Sequence, residues 1–103
     1  MAIPAQLDLR QAREAIVQRH IEAEGRHDVE AALATFHTPR YEVAPLGVSN
    51  DEAEVRNLLN TMLTGFPDWH IEPGPFRHGD DFVFVEVQMT GTHKGPWALR
   101  LRV

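Results

Sequence analysis

Cysteine is absent from the chain. That absence excludes disulfide staples, thiol nucleophiles and zinc sites built on sulfur. Basic residues are scarce as well: 10 Lys and Arg stand against 15 Asp and Glu, a formal charge of −5, and the basic residues form no run. Such a balance does not suit a surface for phosphate backbones or for anionic lipid, so no nucleic acid and no membrane is expected as a partner. No apolar stretch is long enough to span a bilayer. The opening MAIPAQLDL lacks the basic segment and apolar core of a secretory leader, and the expected setting is the cytoplasm. Internal repeats, low-complexity tracts and linkers are missing too, which leaves one domain over residues 1–103.

What is present is ordinary globular material, 43% hydrophobic, enough to bury roughly 60–70% of the unfolded surface. Its clearest stretch is DFVFVEVQMTGTHKGPWALRLRV, residues 81–103, which reads as two strands joined by a turn from Gly91 to Gly95. Side chains on a strand alternate between faces, so one register accounts for the apolar set. Met89 opposite Trp97 also places Val87 by Leu99, Val85 by Leu101 and Val83 by Val103. The other face then carries Phe84, Glu86, Arg100 and Arg102, with Glu86 across from Arg100, a pairing that supports the register.

Upstream, residues 11–24 have helical spacing, with Ala12, Ala15, Ile16, Arg19, His20 and Ala23 on the predicted inner side and Gly25 as C-cap. Asp28 caps a short second helix with Val29, Leu33 and Phe36 as its apolar stripe. Residues 41–44 form a short strand ended by Pro45. Ser49 to Glu52 reads as a capping box opening a third helix, whose apolar residues are Val55, Leu58, Leu59, Met62 and Leu63. Gly65 ends that helix. A strand over residues 69–76 follows, weakened by Pro73-Gly74-Pro75 and so bulged or at an edge. Three helices followed by an antiparallel meander make an α+β domain with a cavity between the layers.

The tracts RHIEAEGRHDVEA, YEVAPLG, GFPDW and TGTHKGPW, in this order, resemble the SnoaL-like polyketide cyclases and the steroid Δ-isomerases of the nuclear transport factor 2-like superfamily. The resemblance implies a curved, cone-shaped antiparallel sheet closed by three helices, an apolar pocket, and a homodimer through the outer face of the sheet. It does not carry the isomerase chemistry. The isomerases' helix-one tyrosine corresponds to His20, their general-base aspartate to Ala44 before Pro45, and their second acid to Val103. A proton shuttle at a steroid carbon needs a carboxylate base and an acid at the oxyanion, and two of those three positions are apolar here. The cyclases' aspartate lies on a strand beyond the hairpin, past Val103, so the sequence is expected to be either incomplete or shortened at its C-terminus. An edge left at Val103 needs covering by the partner subunit or by residues beyond the sequence.

The remaining chemistry is local. His20 and Glu24 share a helix face at i, i+4, and if Ala44 points inward then Glu42 does also. His20, Glu42 and Glu24 are therefore the candidate acid/base set. His27 extends the His20–Glu24 spacing to i, i+7, a metal-like pattern, but Gly25 interrupts the helix and no HExxH motif is present, so no metal and no cofactor is expected. The predicted pocket wall is Ala44, Met62, Trp69, Val85, Val87, Met89, Trp97, Leu99 and Val103. Phe82, Phe84, Glu86 and Arg100 form the predicted dimer face. Two functions fit: a cyclase or isomerase acting on a small hydrophobic carbonyl compound, or a non-catalytic module of the same fold for ligand binding or dimerisation.

Overall fold

The computed structural model describes residues 5–44 and 47–96. In chain order these form α1 (Ala5–Gly25), α2 (Val29–Leu33), β1 (Arg40–Val43), β2 (Gly47–Asn50), α3 (Asp51–Gly65), β3 (His70–His78) and β4 (Val83–Thr90). The class is α+β. Among the described residues the strands form two antiparallel pairs, β1 with β2 and β3 with β4, rather than one sheet. No helix among them is long and apolar enough to cross a membrane.

The core lies where the end of α1 meets α2 and α3: Ala23, Ala32, Leu33, Val55 and Leu59 are buried, with Phe36, Tyr41 and Met62 packed against them. On α3 the spacing of Val55, Leu59 and Leu63 turns one face inward, and all three are buried. Arg56, one position on, reaches back to α2, donating from Nε and Nη2 to the two carboxylate oxygens of Glu30 at 3.0 Å each and from Nη2 to Glu52 at 2.9 Å. At α2 the Asp28 side chain accepts the Ala31 amide at 3.0 Å, the expected N-cap.

Four local expectations are corrected. First, α1 ends in a Schellman turn in which Asp28 N donates to Ala23 O at 2.9 Å and His27 N to Glu24 O at 3.0 Å. The left-handed position is therefore His27 (φ 60), two residues after Gly25, which remains helical. Second, α1 is rotated: Arg13, Glu14, Val17, His20 and Ile21 are partly buried, while Ala12, Ala15, Ile16 and Arg19 are exposed. The helix has too few large apolar residues to choose its own face, and polar anchors such as Glu14 to His78 Nε2 at 2.6 Å choose it instead.

Third, Ser49 lies in β2 opposite Tyr41, and Glu52 binds Arg56. The N-cap is Asn50, whose amide donates to Glu54 Oε2 at 2.8 Å, while Asp51 Oδ1 accepts Glu54 N at 3.0 Å. Fourth, residues 91–96 are not a tight turn. Asp68 accepts both Thr92 N (2.6 Å) and Thr92 Oγ1 (2.8 Å), and Lys94 N and Gly95 N both donate to Gly65 O at 2.9 and 3.1 Å. The segment is thus laid across the end of α3, and Gly95 is needed there because a Cβ would meet Thr64 O at 2.5 Å.

β3 is bulged between Pro73 and Phe76, as the prolines require. On β4 Val83, Val85 and Val87 face inward and Phe84, Glu86 and Gln88 outward, as predicted. The strand predicted to pair with β4, with Trp97, Leu99, Arg100 and Val103, lies outside the described residues.

The displaced cap makes a stability prediction. Gly25→Ala should stabilise the fold by about 0.5–1 kcal/mol, because Gly25 is helical and an added Cβ meets nothing within 4 Å. His27→Gly relieves a left-handed non-glycine at a cost in unfolded-state entropy, for a net gain of roughly 0.5–1 kcal/mol. Urea melts that show Gly25→Ala destabilising would contradict this assignment of the cap.

Candidate active site

One cavity, of about 300 Å³, opens between α3, β1 and β4. Leu58, Leu59 and Met62 line it from α3, Tyr41 and Val43 from β1, Met89 from β4, with Trp69 between α3 and β3 and Glu24 from α1. The volume is at the low end for small-molecule pockets. Its walls are almost wholly apolar, and Glu24 and Tyr41, hydrogen-bonded to each other, are the lining residues that carry ionisable groups. Met89 is 54% exposed although it lines the cavity, so it sits at the mouth.

Glu24 is 9% exposed, the one charged side chain among the buried residues described. A carboxyl so far from water needs hydrogen-bond partners, and the fold supplies two on a single oxygen. Tyr41 Oη donates to Glu24 Oε1 at 2.8 Å, and His20 Nε2 lies 2.7 Å from the same oxygen. His20 Nε2 also hydrogen-bonds Tyr41 Oη, closing a triangle. On the far side of the ring, Nδ1 lies 2.8 Å from Thr35 Oγ1 and 3.2 Å from Ala32 O. The Phe36 ring meets the His20 and Tyr41 rings edge-on, at centroid distances of 5.1 and 5.3 Å and angles of 83° and 88°. This packing sets the orientation of both polar rings.

The triangle has a definite proton requirement. Three atoms in mutual hydrogen-bond reach need at least two protons between them, or two lone pairs face each other. The Tyr41 hydroxyl supplies one. The other sits between His20 Nε2 and Glu24 Oε1. Burial first, then the negative charge of Glu24 and the hydrogen bond to it, push the Tyr41 phenol well above its ordinary value. Tyr41 is therefore a donor and not a base. Glu24 Oε2 has no hydrogen bond among the described residues.

The predicted site residues divide. His20 and Glu24 are brought together, as the i, i+4 spacing implies. Glu42 is not part of the cluster: its side chain is 69% exposed and binds Arg40 at 3.1 Å. The assumed parity of β1 is reversed, since Tyr41 and Val43 face the core while Glu42 and the exposed Ala44 face away, and Ala44 lines no part of the cavity. Burying an aromatic and a valine outweighs burying a glutamate and an alanine. Of the predicted wall, Met62, Trp69 and Met89 line this cavity, whereas Val85 and Val87 are partly buried but do not. His27, exposed in the Schellman turn, stands apart from His20 and Glu24. Phe82, Phe84 and Glu86 are exposed. Sequence reasoning missed Tyr41, although it is the chain's one tyrosine and alternates with Arg40 and Glu42.

Residues 17–103 match the family model for the SnoaL-like domain. The chain belongs to the SnoaL-like family. That places it in the nuclear transport factor 2-like superfamily, whose members include cyclases, isomerases and non-catalytic proteins. No curated protein and no solved structure matches the chain significantly. In this SnoaL-like domain the matched span includes His20, Glu24, Thr35, Tyr41 and every residue lining the cavity.

The raised Tyr41 value has a consequence for the pH dependence of stability. A group that holds its proton more tightly when folded contributes stability that is intact below its unfolded value, about 10 for tyrosine, and lost as pH rises through that range. Tyr41 titration should thus begin to destabilise the fold near pH 10, with no tyrosinate absorbance until unfolding. Tyr41→Phe should lose this alkaline slope, and a normal phenol titration of the folded protein would refute the burial argument.

Proposed function

We propose that this SnoaL-like domain is an acid/base enzyme of the cyclase or isomerase type, acting on a small, largely apolar carbonyl compound. One observation carries the reading: a buried glutamate on the lining of an otherwise apolar cavity, hydrogen-bonded to an imidazole and a phenol. Glu24 takes the role of base expected of Glu42. Its Oε2 removes a proton from carbon next to the substrate carbonyl; once Glu24 is neutral, the Tyr41 hydroxyl is released from Oε1 to donate to the enolate oxygen, while the His20 Nε2 proton stays with Oε1. The 2.7 Å separation of Nε2 and Oε1 lets the proton pass between His20 and Glu24. Return of a proton to a different carbon is isomerisation. Attack of the enolate carbon on a second carbonyl of the same molecule is cyclisation. In this reading the two strand pairs belong to one curved, cone-shaped sheet around the cavity, as in the family.

We also propose that a second copy of the chain covers the outer face of β4. Phe82 and Phe84 are 57% and 53% exposed on that side, two aromatic rings that are costly to leave in water. Glu86, two residues after Phe84, is exposed as well.

The chemistry is tested without knowing the substrate. A panel of small apolar ketones and diketones is incubated with the protein in deuterated water, and exchange of the protons next to the carbonyl is followed by NMR. Glu24→Gln should lower the exchange by about 10²–10⁴-fold, the usual worth of a positioned base, with Tyr41→Phe losing less. Exchange unchanged in Glu24→Gln removes the enzyme reading. Ligands that raise the melting temperature without any exchange support the non-catalytic alternative. For the interface, Phe84→Glu should convert a dimer to a monomer in sedimentation equilibrium, and a wild-type monomer at high concentration refutes the dimer.

A further inference from the structure

The proposed base acts through a shared proton, and whether that proton is shared depends on the other nitrogen of His20. Three protonation patterns satisfy the triangle on the Nε2 side. The ring is an imidazolium beside a Glu24 carboxylate; or it is neutral with its proton on Nδ1 beside a protonated Glu24; or it is neutral with its proton on Nε2 beside a permanent carboxylate. The first two interconvert by moving one proton across 2.7 Å. The third differs from both on the far side of the ring, because it leaves Nδ1 bare.

Thr35 selects among them. Its hydroxyl lies 2.6 Å from Ala32 O and donates to it, the i to i−3 bond of a residue just past the end of α2. With that proton committed, Thr35 Oγ1 turns a lone pair to His20 Nδ1 at 2.8 Å. The second neighbour of Nδ1, Ala32 O at 3.2 Å, is a carbonyl and can only accept. Both atoms facing Nδ1 are acceptors, so a bare Nδ1 would face two lone pairs in a partly buried site.

We infer that Thr35 is the positioning residue that keeps the proton on His20 Nδ1, confining the remaining proton to the line between His20 Nε2 and Glu24. The inference rests on the acid/base reading only for its catalytic meaning. The tautomer itself is a property of the resting protein. The Ala32 carbonyl can only accept, and turning the Thr35 proton to the ring would break its 2.6 Å bond to that carbonyl, so both neighbours favour a proton on Nδ1. Serine preserves the arrangement. Valine preserves the shape and removes it.

The test is nitrogen-15 NMR of the His20 ring over a pH series. Wild type should show its neutral ring as the Nδ1–H tautomer. Thr35→Val, losing one hydrogen bond to that proton, should shift the neutral ring towards the Nε2–H tautomer by about fivefold, and Thr35→Ser should restore the wild-type pattern. An Nε2–H tautomer in the wild type overturns the inference, as does an unchanged ring spectrum in Thr35→Val. The wild-type spectrum decides even if Thr35→Val fails to fold. The deuterium exchange assay separates this from the proposed chemistry: full exchange in Glu24→Gln with a protonated Nδ1 refutes the enzyme and leaves the tautomer standing. Loss of exchange in Glu24→Gln with a bare Nδ1 does the reverse.

Discussion

Everything near the cavity depends on how the Glu24 carboxyl is accommodated at 9% exposure. A carboxyl cannot be removed from water without partners, at a cost of several kcal/mol if it stays charged. Its two partners come from α1 and β1, and the first of them is held in turn from just past α2. His20 is one helical turn back on α1, Tyr41 is the second residue of β1, and Thr35, which holds His20, follows α2. Satisfying one oxygen therefore fixes the entry of β1 against α1 and the position of α2 against both. Phe36 packs its ring against His20 and Tyr41, so the polar cluster is seated in the same apolar core it interrupts.

The parts of this arrangement that were legible in the chain are those set by local chemistry. The apolar face of α3, the Asp28 cap, the outward Phe84 and the proline-induced bulge of β3 each follow from a few neighbouring residues. The His20–Glu24 meeting is of the same kind, because i and i+4 side chains share a helix face whichever way the helix turns. What could not be read is where local signals are balanced. α1 offers only Ile16, Val17 and Ile21 as large apolar residues in its middle, and contacts from β3 and β1 decide its rotation. β1 has four residues, too few for alternation to be self-evident, and an inference resting on Ala44 transferred its error to Glu42.

Glycine misled the reading of helix ends for a related reason. A glycine near the end of a helical pattern is a sound signal for a left-handed cap, but at Gly25 the chain continues helical and His27 takes the strained position. The Schellman turn needs Asp28 one step later to donate its amide to Ala23 and then to cap α2 with its side chain. One residue thus serves two helices, and this fixes the register of the corner. His27 bears the left-handed conformation because Asp28 is committed.

The same corner explains why the buried carboxyl of this site comes from α1 and not from β1. A pocket in this fold is bounded by the first helix on one side and the first strand on the other, and a group from either wall reaches its polar end. Here β1 presents Tyr41 and Val43 inward, so the strand wall offers a donor and a methyl-bearing surface but no carboxylate. The helix wall offers Glu24 in the last full turn of α1, where the chain must already turn sharply into α2. Both chemical walls lie within helices, strands and a closed turn rather than in long loops, and the ring of His20 is bonded on both nitrogens. A site held by such elements keeps its geometry when empty, which is the condition under which a short proton path costs little to use.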